Sequence, residues 1–324
     1  MRILVCGGAG YIGAHMCKLL AEAGHEVAIV DNLSTGHLEA VQWGPLFEGS
    51  IGDAAFMDEV FERFEPQAVF HFAALSIVGD SVREPASYFH NNVAATLCLL
   101  DRIRALPGCS FVFSSTAAVY GVPLTARIAE DHPTRPINPY GRSKLMIEQL
   151  LVDYWSAYQL PSMSFRYFNA AGADPSGAIG EAHSPETHLI PLTLEACLGR
   201  VPPLRVFGTD YDTPDGTCIR DYIHVNDLCS AHLAGLDHLL AEPGNYHFNL
   251  GNGEGFSVRE VIATAREVTG RDIPHSYSDR RPGDPPRLVA DAHRAATALE
   301  WAPKTPALTD IIESAWRWHS ARKF

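Results

Sequence analysis

Positive charge is scarce in this chain of 324 residues: 25 basic residues face 38 acidic ones, a net charge of −13. That balance argues against general binding to nucleic acid or to an anionic membrane surface, so any phosphate ligand must find local arginines. Cysteine is also sparse. The seven cysteines (6, 17, 98, 109, 197, 218 and 229) form an odd set without a C-x-x-C pair, which argues against a disulfide framework and fits a reducing cytoplasm. The fifteen histidines are scattered, with no H-E-x-x-H and no Cys/His cluster at zinc spacing, so no catalytic metal is expected. No apolar stretch is long enough to span a membrane, and the run after Met1 stops at a glycine turn, too soon for the core of a signal peptide. Internal repeats and low-complexity tracts are absent.

What remains is an ordinary globular composition, 46% apolar, able to bury a substantial core. Residues 2–6 form a short β-branched run that Gly7 closes, and an amphipathic stretch opens at Ala14. Gly8, Gly10 and Gly13 fit G-x-G-x-x-G in the order strand, turn, helix, where glycines permit the tight turn, backbone approach to a pyrophosphate and close packing of helix on strand. The helix N-terminus then faces the phosphates. A second apolar run, 26–30, ends at Asp31, eighteen residues after Gly13. A carboxylate there accepts hydrogen bonds from an adenosine ribose and repels a 2′-phosphate, which selects NAD over NADP.

Apolar runs and amphipathic stretches go on alternating: 46–47 then 54–64, 68–72 then 86–105, 109–114 then 139–158, and a further strand at 162–166. Asp53 reads as the N-cap of the 54–64 helix. This alternation predicts an α/β fold, a Rossmann-type doubly wound parallel sheet with helices on both faces. From Asn169 the texture changes to Gly, Pro, His and Asp with shorter elements. Residues 1–169 are therefore read as a dinucleotide-binding domain and 170–324 as a smaller C-terminal α/β substrate-binding region, with segments near 219–250 rejoining the sheet.

Asn138-Pro139 reads as an N-cap followed by proline at the first helical position, placing Tyr140 in the opening turn and Lys144 four residues later on the same face. A phenol titrates near 10, so it serves as a base at neutral pH only if positive charge stabilises its anion. Lys144 and the helix dipole are placed to supply that charge. Thr116, at the end of the strand near 109–113, reaches the same crevice. A hydroxyl, a phenol and an ammonium beside a nicotinamide suit hydride transfer at a carbinol carbon, with Tyr140 taking the hydroxyl proton and Thr116 relaying it.

The glycine fingerprint, Phe70-His-Phe-Ala-Ala, Phe113-Ser-Ser-Thr-Ala-Ala-Val-Tyr-Gly121, the Tyr140/Lys144 pair, Arg166-Tyr-Phe-Asn169, Ile219-Arg-Asp-Tyr-Ile-His-Val225 and Arg280-Arg-Pro-Gly-Asp284 occur in this order. Over nearly its whole length the chain thus resembles the UDP-glucose 4-epimerase family of the extended short-chain dehydrogenase/reductase superfamily. The resemblance implies a tightly held NAD that oxidises C4 of a UDP-hexose and returns hydride to the opposite face after the 4-keto sugar rotates. Tyr140 then acts as base, Lys144 as tuner of its pKa and ribose contact, and Thr116 as proton shuttle. For the cofactor the resemblance adds Gly7, Tyr11, Ile12, the run Asp31, Asn32, Leu33, Ser34, Thr35 and Gly36, then Ser50 and Ile51. Phe72, Ala73, Ala74, Leu75, Ser76, Asn91 and Phe168 complete that set. For the UDP-sugar it implies Asn169, His188, Leu189, Phe207, Arg220, Arg281 and Asp284, together with Leu288. Ser50 and Ser76 depart from the family's usual aspartate and lysine, and His188 from a frequent asparagine. Leu288 is intermediate in size at a position where bulk excludes N-acetylated sugars. A homodimer through helices near 86–105 and 139–158 is also implied.

Two other enzymes share much of this pattern. A nucleotide-sugar 4,6-dehydratase needs an acid/base pair just after the threonine, where this chain has Ala117 and Ala118, which exchange no proton. A 4-epimerase of another nucleotide sugar, N-acetylated, uronic or pentose, would differ only in its sugar pocket. A non-catalytic NAD sensor would have no use for Thr116, Tyr140 and Lys144 together.

Overall fold

The computed structural model describes residues 1–281 and 284–324; Pro282 and Gly283 of the Arg280–Asp284 motif lie outside the described residues. Seven strands form one sheet: β1 (Arg2–Cys6), β2 (Glu26–Asp31), β3 (Leu46–Glu48), β4 (Ala68–His71), β5 (Ser110–Thr116), β6 (Ser162–Tyr167) and β7 (Asn245–Leu250). Their order is β7-β6-β5-β4-β1-β2-β3, with every pairing parallel. The direction of winding reverses between β1 and β4. A crevice opens there beyond the carboxyl ends of the strands, the place where open α/β sheets hold ligands.

The apolar runs become strands because both faces of the sheet are covered. Ile3 and Val5 pack on one side with Met16 and Leu20 of the helix Tyr11–Glu22 and with Val225 and Leu228 of the helix Val225–Ala241. Leu4 and Cys6 pack on the other with Met57, Leu99 and Ile147, from the helices Ala54–Phe64, Ala95–Ile103 and Pro139–Tyr158. Each such side chain, fully buried, contributes about 1.5–3 kcal/mol. Side-chain caps open two of these helices as expected: Asp53 accepts from Phe56 N, and Asn138 from Gly141 N at 2.8 Å.

Three boundaries differ from the sequence expectation. The 86–105 stretch is not one helix but Pro85–Tyr88, a wider π turn at Phe89–Ala94, and then Ala95–Ile103. The π turn coincides with Asn92, whose side chain leaves the helix to bond the backbone of Leu75 and whose carbonyl also accepts from Thr96 Oγ1 at 2.7 Å. The strand expected to end near 113 runs on to Thr116, because β6 pairs alongside through Tyr167. The sequence reads a helix over 223–240, but residues 223 and 224 instead form, with Tyr222, a strand parallel to Asn169–Ala171, and the helix opens at Val225.

Within 219–250, the helix and β7 join the main layers, whereas Ile219–Arg220 pairs with Phe256–Ser257 and Arg287–Leu288. Phe256 packs against a separate apolar cluster that includes Ile190, Leu194, Val206, Val261 and Ile311. Among the described residues no helix is long and apolar enough to cross a membrane.

Candidate functional site

At the end of β1 the glycine turn is held from two sides. A Cβ on Gly13 would sit 2.0 Å from the Gly7 carbonyl oxygen, so the helix can follow the strand this closely only with glycine there. Gly10 is different: a Cβ on it would meet only that same oxygen, at 3.4 Å, and space is left over the start of the helix. Gly10 is the N-cap and no side chain caps the helix. The opening is thus a cradle of peptide N–H groups and partial positive charge, suited to a diphosphate.

Asp31, buried at the end of β2, accepts from Ala9 N at 3.0 Å through one oxygen and from Leu33 N at 2.9 Å through the other. Each carboxylate oxygen retains lone-pair capacity for a ribose hydroxyl. Burial raises the Asp31 pKa, against the pull of those N–H groups. Asn32, Leu33, Ser34, Thr35 and Gly36 continue as a loop beside the glycine turn. Leu33 lies in the left-handed region with φ of 54°, Asn32 Oδ1 accepts from Ser34 N, and Gly36 abuts Ala9. The donor set and the open cradle fit NAD.

Phe72, Ala73, Ala74, Leu75 and Ser76 leave β4 across this turn, with Phe72 N and Ala73 N both bonded to the Cys6 carbonyl. Asn92 pins the loop. Its Oδ1 accepts from Leu75 N and its Nδ2 donates to Leu75 O, each at 2.9 Å, and Nδ2 also reaches Ser143 Oγ at 3.1 Å. Asn91, the expected cofactor residue, donates to Asn92 Oδ1 at 3.0 Å. Ile51 is buried, whereas Ser50 and Ser76 are more exposed; Ser50 Oγ accepts from Gly52 N at 3.2 Å and closes its own turn. Tyr11 turns its hydroxyl away to the Gly172 carbonyl at 2.7 Å, and the next residue, Ile12, packs against the core beneath.

Tyr140, Lys144 and Thr116 converge at the end of β5. Gly141 lets the first turn of the Pro139–Tyr158 helix come against the turn after Thr116, where a Cβ would lie 2.5 Å from the Ala118 carbonyl oxygen. The Tyr140 phenol lies beside Thr116, whose hydroxyl draws its pKa down. Thr116 Oγ1 in turn accepts from Ala118 N at 3.1 Å. Lys144 is 3% exposed and donates to the Ser114 carbonyl at 2.7 Å, with its ammonium 4.8 Å above the Phe113 ring.

Their proton affinities depart from the simple expectation. Burial pushes the Tyr140 phenol up to about 12, against the opposing pull of Thr116. The same cause pushes Lys144 down to about 7, while the nearby Glu148 carboxylate holds it up. The lowering of the phenol by Lys144 is therefore not expressed in this geometry, because the amine spends its short bond on a backbone carbonyl.

Sequence reasoning missed the support behind this pair. Glu148, one further turn along, takes Arg166 through both oxygens at 2.5–3.1 Å and accepts from Ser115 Oγ, all buried. The i, i+4 spacing from Lys144 was a legible signal. Asn92 offered none, since its partners lie 17 and 51 residues away.

The remaining candidates form a second group. Asn169 donates to the Asp221 carbonyl at 2.8 Å. Arg220 pairs with Asp284 at 3.3 Å rather than with its neighbour Asp221, whose buried carboxylate instead takes N–H groups of Asn252, Gly253 and Ala290. Arg281 stacks 3.9 Å over the Phe207 ring. His188 and Leu189 open the helix Leu189–Cys197, whose N-terminus no side chain caps. Leu288 and Phe168 pack with Ala117, just past Thr116, and so tie this group to the first.

The sheet order, the glycine turn and the Tyr/Lys/Thr cluster define a dinucleotide-dependent short-chain enzyme fold, and the chain belongs to the NAD dependent epimerase/dehydratase family, whose model matches residues 3–251. Its relatives are more specific. Over 318 residues it is 50% identical to the UDP-glucose 4-epimerase of Rhizobium leguminosarum bv. trifolii, covering 98% of this chain and 97% of that protein. The crystal structure of UDP-glucose 4-epimerase from Brucella ovis in complex with NAD superposes with a TM-score of 0.95 at 50% identity, covering 97% of each chain. That of the Bifidobacterium longum enzyme in complex with NAD+ and UDP gives 0.94 at 37% identity over 99% of each.

Proposed function

We propose that this chain interconverts UDP-galactose and UDP-glucose, holding NAD throughout the cycle. One observation carries the reading: a phenol faces a threonine hydroxyl beside a buried lysine, at the mouth of a dinucleotide crevice. Gly10 to Gly13 would hold the pyrophosphate, Asp31 the adenosine ribose, and Lys144 the nicotinamide ribose. Bound NAD would supply the hydride acceptor for C4 of the sugar, its return to the other face, and a positive ring that favours phenolate.

The chain's own residues move the proton. Tyr140 takes it from the C4 hydroxyl through Thr116 and gives it back once the 4-keto sugar has turned over. This short route would let one proton pass between two oxygens without leaving for water. Arg220 and Arg281 are suited to the diphosphate of the UDP moiety, since a guanidinium stays charged and pairs in two places with phosphate oxygens. Asp284 orients Arg220, and Asn169, Leu189 and Phe207 complete the nucleotide pocket. Leu288, beside Phe168 and Ala117, sets the room left for the sugar. The absence of an acid/base pair at Ala117 and Ala118 disfavours dehydration.

We further read the protein as cytoplasmic and homodimeric. Leu97, Met146 and Val152 are exposed on the two helices expected to pair. The test is direct: supply UDP-galactose without added NAD, and separately denature the protein and assay the released nucleotide. Turnover to UDP-glucose with NAD recovered is the expected result. Accumulation of NADH, or no turnover with NAD bound, would overturn the reading.

A further inference from the structure

Between the short strand Asn169–Ala171 and the helix Leu189–Cys197, an irregular segment brings together Glu181, His183, Glu186 and His188. One ligand atom from each lies within 4.8 Å of all the others. The spacing E-x-H-x-x-E-x-H is not a helical zinc motif, so periodicity gives no hint of it. Only the folded path makes the four converge.

The imidazole nitrogens and carboxylate oxygens meet at hydrogen-bond and near-contact distances, so small shifts would open them around an ion. His188 Nδ1 lies 2.8 Å from Glu181 Oε1 and 3.0 Å from Glu186 Oε1, while His183 Nδ1 lies 3.1 Å from Glu181 Oε1 and 3.6 Å from Glu186 Oε2. A tetrahedral zinc-type ion with bonds of about 2.0–2.2 Å places its ligands roughly 3.4 Å apart. Glu186 faces the two imidazoles through different oxygens, so with one atom from each residue three of the four nitrogen–oxygen edges are near that length before any ion enters, and all four atoms lie within 4.8 Å of one another.

Charge is compatible with a bound cation. The Glu181 side chain is 3% exposed and that of Glu186 13%, yet among the described residues neither carboxylate has a lysine or arginine within 4.0 Å. Buried carboxylates need a positive partner. The backbone holds the group ready, since Glu186 Oε1 accepts from Thr187 N at 2.7 Å and His188 N at 2.8 Å, and the Glu181 carbonyl accepts from Trp318 Nε1 at 2.9 Å.

We propose that Glu181, His183, Glu186 and His188 bind one divalent transition-metal ion of the zinc class. Two imidazoles and two carboxylates suit zinc or cobalt over magnesium, and four protein ligands make the site a closed, structural one. Its position gives it a task. His183 lines a small cavity with Gly10, Tyr11 and Thr35, and His188 heads the helix Leu189–Cys197, so the ion would clamp the cofactor side of the crevice to the substrate side.

The full chain, treated with chelator and desalted, is titrated with Co2+ while its visible spectrum is read. One equivalent should bind with the intense ligand-field band of a four-coordinate ion, Zn2+ should abolish the band, Mg2+ should not, and either bound ion should raise the melting temperature. His183→Asn should lose the band, as should Glu186→Gln, whereas His293→Asn at an exposed site should keep it. Uptake well below one equivalent, a weak six-coordinate spectrum, or a band that survives both variants would overturn the proposal. In that event the imidazoles and carboxylates neutralise one another by protons alone.

Discussion

Tyr140 and Lys144 each pay a desolvation cost for their place at the end of β5, and the pH dependence records it. Lys144 titrates near 7 in the fold against 10.5 in an open chain, so between those values the unfolded state binds the extra proton and stability rises with pH. Below about 7 both states are protonated and the full cost is felt. In cofactor-depleted protein, wild type minus Lys144→Met should show a melting temperature that climbs from pH 7 to pH 10, and a flat difference would contradict the buried amine. The phenol is tested separately. Tyr140→Phe should retain UDP binding by calorimetry while turnover falls about 10²–10⁴-fold, the range of a general base, and near-normal turnover would remove Tyr140 from that role.

At the scale of single elements, the glycine turn separates folding from binding. Gly13→Ala forces a Cβ to within 2.0 Å of a backbone oxygen, so unfolding by denaturant should show a loss of about 1–3 kcal/mol or more. Gly10→Ala meets nothing closer than 3.4 Å and should melt near wild type, yet it should come off purification with much less NAD. Equal NAD content in the two proteins would argue that the pyrophosphate lies elsewhere. The π turn at Phe89–Ala94 plays a comparable part, as Asn92 leaves its helix to hold the loop after β4. Asn92→Ala should raise the Kd for NAD in reconstituted protein more than it lowers kcat at saturating NAD, since the loop is positioned and not itself reactive.

For the whole molecule, the helices Ala95–Ile103 and Pro139–Tyr158 carry the exposed Leu97, Met146 and Val152, with a recess of about 400 Å³ lined by Phe89, Leu145 and Met146 nearby. If these faces pair, Met146→Glu with Val152→Glu should shift light-scattering mass from dimer to monomer at micromolar concentration. An unchanged mass would move the interface elsewhere. Much of the architecture was legible in the residues, because its signals are local: a β-branched run before Gly7, the Asp31 that ends β2, and caps at Asp53 and Asn138 each act over a few positions. The Tyr140/Lys144 face was legible for the same reason, since helical periodicity alone puts both on one side. Other features depend on residues far apart in the chain. Burial sets the phenol near 12 and the lysine near 7, Asn92 finds Leu75 and Ser143, and Arg220 turns to Asp284 instead of its neighbour. Desolvation and partner choice depend on which distant groups the sheet brings together, and only the folded chain decides that.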